Sequence, residues 1–258
     1  MTTVTDAQPW VSALRSSHDQ LSGIVAGLDS DGLRAQSYDT EWSIADVLSH
    51  LGSGAEIHLL TVNAGASGDA PPAREQFQEI WDRWNAKTPE EQAADSVAAN
   101  EVLVSRVESL TPAERESFSV LMFGPRPMDL AGVLGLRLGE HALHSWDVAV
   151  VLDPAARVAP YAVALLIDTL APMAGYFGKK SENPMVIAVT TTDPERTYTI
   201  DTGGVTVTPG AAGDAATASL ELPAEVFLRL LTGRVDDASE LTTTGVTLPE
   251  LKAVFPGF

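Results

Sequence analysis

Residues 139–148, GEHALHSWDV, place a glutamate, two histidines, a tryptophan and an aspartate within ten positions. If this segment is helical, Glu140 and His144 sit one turn apart and project from one face, where a carboxylate and an imidazole can grip a single ion. Arg137, three residues before Glu140, shares that face. A third ligand must come from elsewhere. His50, in WSIADVLSHLG, is the candidate because a core-facing apolar stripe runs beside it. Two histidines and one carboxylate leave coordination positions open, as catalytic rather than structural divalent sites do. Glutamate and histidine four apart also occur as solvated pairs on amphipathic helices, and spacing alone does not separate the two readings.

The other polar residues near this pattern are expected to play lesser parts. EHALH lacks the order of the zinc-protease motif, in which glutamate lies between the histidines and acts as a base. His141 points about 100° around the helix from Glu140 and is expected to be exposed or to support a ligand. His58 lies two turns beyond His50, too far to share its ion, and His18 stands alone as an expected surface residue. Asp147 is a weak candidate for a general base; the Trp146–Asp147 pair can instead cap or orient the ligand helix.

Composition narrows the chemistry. Sixteen basic against 35 acidic residues give a formal charge of −19 in 258 residues, so the field of the whole molecule opposes phosphate neutralisation. Nucleic acid and anionic membrane surfaces are therefore expected not to be partners. There is no cysteine, which excludes disulfides, thiolate metal ligands and a cysteine nucleophile. Any thiol chemistry must use a borrowed thiol. The start, MTTVTDAQPW, has neither the basic nor the apolar region of a secretory signal, and no stretch approaches the roughly 20 apolar residues of a spanning helix. The expectation is a cytoplasmic protein.

The elements that must carry the candidate ligands are helical. Trp10, Leu14, Leu21, Ile24, Val25 and Leu28 recur at helical intervals, with Pro9 suited to a first turn. Ser43 can cap a second helix that presents Ile44, Val47, Leu48 and Leu51. Phe77, Ile80, Trp81 and Trp84 give a third stripe, and Val104, Val107 and Leu110 a fourth. Thr88 with Glu91, and Thr111 with Glu114, fit capping boxes, each with proline at the first helical position. Beyond the loop GPRP (124–127), Asp129 can cap a long helix through GEHALHSWDV to about Val151. Four long helices plus shorter pieces predict a bundle. After LDPAARVAP the texture changes: a helix over about 160–177 precedes β-rich runs MVIAVTT, RTYTID, GVTVTPG, ATASLEL and LTTTG. PAEVFLRLLTG reads as a helix with Gly233 past its end, and a short helix closes the chain. The boundary is expected near 152–158, giving a bundle over 1–153 and an α+β domain over 154–258.

WSIADVLSHL and RLGEHALHSWDV together resemble the mycothiol-dependent maleylpyruvate isomerase family, whose metal-binding domain is a DinB-like four-helix bundle. The resemblance implies His50, Glu140 and His144 as ligands of a divalent metal, zinc foremost. DAATASLELPAEVFLRLLTGR (214–234) is similar to the smaller α+β, sterol-carrier-like domain that follows the bundle in this family. That domain is expected to close over the open end of the metal site. The resemblance implies that Arg234, near the end of that helix, faces the metal, binds the cofactor and serves catalysis; the alternative is a cation compensating the helix C-terminus. Arg229, in mid-helix, is expected to be solvated. The implied cofactor is mycothiol, bound as a metal thiolate that adds to a small electrophile in an isomerase or S-transferase reaction. Residues such as Trp84, Met122 and Phe123 either select the substrate or pack the core. A hydrolase using metal-activated water, and a metal or ligand carrier without turnover, are the alternatives. The electrophile and the oligomeric state are not set by the sequence.

Overall fold

The computed structural model describes residues 6–122, 126–176 and 178–257, and the chain divides into two compact units between Arg157 and Val158. Phe123, Gly124 and Pro125 lie outside the described residues.

In the first unit, helix starts are written by local chemistry. Helix α1 (Gln8–Val25) has proline in its first turn, and the short α2 (Ser30–Arg34) is capped by Asp29, which accepts from Gly32 N–H. Helix α3 (Ile44–Ser67) begins at a reciprocal box: Ser43 Oγ accepts from the Asp46 N–H, and the Asp46 carboxylate accepts from the Ser43 N–H. After α4 (Arg74–Asn85), the Thr88–Glu91 and Thr111–Glu114 boxes open α5 (Pro89–Glu108) and α6 (Pro112–Ser117) as expected from sequence. Asp129 caps α7 (Leu130–Leu152) through the Gly132 N–H.

The four long helices pack in a ring, with α1 and α3 each against both α5 and α7. Their apolar stripes fill the interior: Leu21, Ile44, Val47, Leu48, Leu51 and Val148 form one cluster. Ile57, Ile80 and Trp84 form another under α4, with Phe77 against it. Trp81, on the same predicted stripe, is 40% exposed, because α4 offers the bundle only a narrow face.

The second unit starts with α8 (Pro160–Leu170) and a 3-10 turn (Ala171–Tyr176). Strands β1 (Val186–Thr192), β2 (Arg196–Asp201), β3 (Thr206–Pro209), β4 (Ala218–Pro223) and β5 (Thr242–Thr244) form one sheet in the order β3-β2-β1-β4-β5. Only β1 and β4 pair in parallel. Alternation puts Ile187, Val189, Tyr198, Ile200, Leu220 and Leu222 on the buried face. Helix α9 (Ala224–Leu231) follows β4 and packs on α8, and α10 (Leu248–Val254) comes last. Among the described residues no helix is long and apolar enough to cross a membrane.

Close helix packing in the bundle depends on missing side chains. A Cβ on Gly65 of α3 would lie 2.3 Å from the Phe118 ring, whereas one on exposed Gly23 of α1 would meet nothing within 4 Å. All five tryptophans belong to the first unit, so their fluorescence reports its unfolding. In urea, Gly65→Ala is expected to destabilise this unit by about 1–3 kcal/mol through overpacking. Gly23→Ala is expected to stabilise it by about 0.5–1 kcal/mol through helix propensity. Similar values for the two would contradict the close approach of Phe118 to α3.

Candidate metal centre

The cap at Ser43 sets the phase of α3 so that Val47, Leu48 and Leu51 point fully into the core while His50 emerges at its edge, partly exposed. The α7 helix passes alongside and presents Glu140 and, one turn later, His144. His50 Nε2 lies 3.0 Å from Glu140 Oε2, and His144 Nε2 lies 3.7 Å from the same oxygen. One ligand atom from each of the three residues falls within 4.8 Å of the others. Ligands about 2.0–2.2 Å from a tetrahedral ion lie roughly 3.3–3.6 Å apart, so the donor set and its spacing suit a divalent cation. His50 Nε2–H donates to Glu140; a bound cation would take the place of that proton.

Both imidazoles are held from behind. The His144 Nδ1–H donates to the Asp147 carboxylate at 2.8 Å, and Asp147 is fully buried. That contact selects the tautomer whose Nε2 lone pair faces Glu140, the usual support of a metal-binding histidine. Asp147 is thus engaged as an orienting group, one of the two roles its spacing allowed. Trp42 stacks on the His144 ring at 5.8 Å between centroids and leans on the His50 ring at 5.2 Å. Trp42 is a member of the site that was not expected from the residue pattern. Its position one residue before the Ser43 cap was the available signal, because the cap turns the chain back over the helix face that carries His50.

Glu140 is half exposed on one side and crowded by protein on the other. Crowding alone would raise its pKa. The hydrogen bond from His50 and the electrostatic influence of the neighbouring His144, His50 and Arg137 outweigh that and hold it down to about 2. The carboxylate is therefore ionised across the working pH range, as a metal ligand must be.

Two of the remaining histidines, His18 and His141, are more buried than the sequence expectation of surface positions, while His58 lies outside the cluster as expected. His18 is a buried residue of α1, not a surface one: it is 5% exposed and its Nε2 lies 3.0 Å from Glu101 on α5. His141 is completely buried rather than exposed, and its Nδ1 bonds Ser17 of α1 at 2.7 Å. The 100° offset from Glu140 turns it into the bundle. His58 stays out of the cluster and donates from Nδ1 to the Gly54 carbonyl. Burial, reinforced by Arg137, lowers the pKa of His58 to about 4 and that of His141 well below the ordinary value. His18 is lowered too, by burial that Glu101 partly opposes. Trp84 is 1% exposed, donates from Nε1 to Glu56 and covers Gly52, so it packs the core. Met122 is partly buried.

In the second unit Arg229 is not solvated but 3% exposed. It pairs with Glu225 one turn earlier and with Glu240, and its Nη1 donates to the Arg234 carbonyl. Arg234 is itself buried, with its N–H donating to the Arg229 carbonyl and Nη1 to that of Thr232. Gly233, at φ +77°, supplies the left-handed turn between α9 and Arg234, and the chain at Gly257 lies directly against it. The backbone that carries Arg234 is thus clamped from two sides.

The family model of the mycothiol maleylpyruvate isomerase N-terminal domain matches residues 14–149. A protein of Geobacillus thermodenitrificans (strain NG80-2), whose name describes a metal-dependent hydrolase, is 32% identical over 76 residues. That alignment covers 30% of this chain and 43% of the relative, less than half of its length. A crystal structure of the mycothiol-dependent maleylpyruvate isomerase superposes with a TM-score of 0.68 at 16% identity, covering 97% of this chain and 98% of the other. A histidine-to-alanine variant of that enzyme gives 0.68 at 15% over the same shares. At these identities the structural likeness is one of fold.

The buried histidines make stability depend on pH with a definite sign. Each has a folded pKa below its unfolded value of about 6.5, so the unfolded chain binds more protons in between. Stability is complete above that value and falls as pH drops through the window. For His58, with a window from about 6.5 to about 4, the loss is about 3 kcal/mol at 1.36 kcal/mol per unit. Urea unfolding between pH 7 and pH 4 is expected to show a shallower decline in His58→Gln than in the wild type; parallel curves would show that His58 is not held neutral.

Proposed function

Because the chain belongs to the mycothiol maleylpyruvate isomerase family, we propose that it is a metal-dependent enzyme that uses mycothiol to act on a small electrophile. The observation that carries this reading is the convergence of His50, Glu140 and His144, with His144 oriented by a buried carboxylate, in a chain that has no cysteine. The three side chains would hold the ion, with zinc as the proposed metal. When bound, the ion supplies positive charge that favours the thiolate form of a thiol and an open position for it.

The residues of the chain then bind, orient and shield. Glu140 contributes the one anionic ligand, and its low pKa keeps it from competing for the proton that a thiol must lose. Asp147 holds the His144 ring and Trp42 covers both imidazoles, so the ligand atoms keep their direction without cost at each turnover. A thiol held there would supply a nucleophile for reversible addition to a conjugated cis double bond, which would permit isomerisation to the trans form with the thiol returned unchanged, or, in a transferase, would give a released adduct. We assign Arg234 the role of a cation for the anionic substrate or thiol; the clamp of Arg229 on its backbone supports a fixed position for it.

The name of the Geobacillus relative favours a second reading, hydrolysis by metal-activated water. It needs a general base, and Asp147 is buried and already engaged by His144.

Metal content and thiol-dependent turnover test these assignments together. His50→Ala, Glu140→Gln and His144→Ala are expected to purify without stoichiometric zinc, while His141→Gln retains it. Asp147→Asn should weaken metal binding about 10–100-fold. Turnover of a maleylpyruvate-like cis-unsaturated acid is expected to appear only when mycothiol is added, and equal turnover of an ester or amide without thiol would favour the hydrolase. Arg234→Ala should lower thiol-dependent turnover with zinc unchanged; undiminished turnover would remove Arg234 from the site.

A further inference from the structure

Arg137 is among the largest fully buried side chains of the protein, at 1% exposure. A buried guanidinium ordinarily has a carboxylate beside it, because an uncompensated charge in the interior is costly. No carboxylate among the described residues forms an ion pair with Arg137. Its Nη2 donates to the Leu51 carbonyl at 2.7 Å and to Asn100 Oδ1 at 2.6 Å, and its Nε has no partner. Asn100 is also buried and is turned toward Arg137 by its own bond to the Ser96 carbonyl. The side chain therefore leaves α7 one turn before Glu140, reaches α3 at the residue after His50, and ends on α5.

The protein also makes room for it. A Cβ on Gly54, one turn after His50 on α3, would lie 2.8 Å from Nη1 and 3.9 Å from Cζ of Arg137, with no other atom within 4 Å. Gly54 thus forms the bed of the guanidinium on the helix that carries His50. Burial lowers the pKa of Arg137, to about 10, and the nearby Glu140 opposes that loss, so it remains a cation at neutral pH.

We infer that Arg137 is a positioning residue of the candidate metal centre: a charged strut that joins α7 to α3 at the level of the ligands and sets the separation of His50 from Glu140. This rests on the proposed metal-dependent reading. Apolar packing alone tolerates small slides between helices, whereas two short bonds from one planar group fix both spacing and register.

Cobalt(II) serves as the probe, with affinity measured by chelator competition, coordination by the visible d–d spectrum and folding by circular dichroism. The wild type is expected to bind one cobalt. Gly54→Ala displaces the guanidinium without touching a ligand, and Arg137→Met removes it. Both are expected to stay folded and to bind cobalt about 10–100-fold more weakly with an altered spectrum. Arg137→Lys, which keeps the charge but cannot reach both acceptors, should fall between them and the wild type. Gly65→Ala, destabilised elsewhere in α3, should keep wild-type affinity within twofold. Wild-type affinity and spectrum in Gly54→Ala would overturn the inference alone, whether or not Arg137→Met folds. An equal loss in Gly65→Ala would also overturn it, by showing a general effect of stability. A wild type that binds no cobalt would overturn the metal reading and this inference with it.

Discussion

One carboxylate shared by two imidazoles from two different helices is the constraint on which the rest of the bundle depends. Glu140 and His144 come together through helix geometry alone, because they are four residues apart on α7. His50 does not: it comes from α3, ninety positions earlier, and reaches Glu140 only if the two helices keep one spacing and one register. The caps at Ser43 and Asp129 start those helices at defined residues. The fully buried faces of Val47, Leu48, Leu51, Leu134 and Leu138 then leave each helix one rotation about its axis.

The bundle interior is more polar than a core of that size needs for stability. Arg137, Asn100, His141, Ser96 and Ser49 are buried and His58 is partly buried close to the ligand-bearing segments, and several of their polar atoms have no protein partner. Each such group costs stability unless it is satisfied. An apolar bundle with the same four helices would be easier to build, so the concentration of these groups beside one cluster fits a scaffold shaped around a site. The same polar interior makes acid stability a property of histidines that take no part in the cluster.

What was legible from sequence and what was not divide along a physical line. Helix starts were readable because a cap and its box lie within four residues, and the strands because alternation has a period of two. The three candidate ligands were readable because two share a helical face and the third sits in a distinctive segment. The surroundings of single polar residues were not. His18 and Arg229 look solvated when only their own helix is considered, yet His18 meets Glu101 on another helix and Arg229 meets Glu240 beyond the end of α9. His141 was correctly turned away from Glu140 by the helical wheel, but the wheel cannot say that Ser17 of α1 waits on that side. Burial is a property of tertiary packing, and periodicity gives only the face, not what covers it.

The central claim is that His50, Glu140 and His144 hold a divalent ion whose open position takes a thiol from outside the chain. X-ray absorption at the metal edge of the zinc-loaded protein, recorded before and after mycothiol is added, tests it most directly. The account predicts nitrogen and oxygen neighbours only at about 2.0–2.2 Å in the absence of mycothiol, and one sulfur neighbour at about 2.3 Å in its presence. Because the chain contains no cysteine, a new sulfur shell at that distance would come from the added thiol. An unchanged nitrogen and oxygen shell at saturating mycothiol would contradict the account.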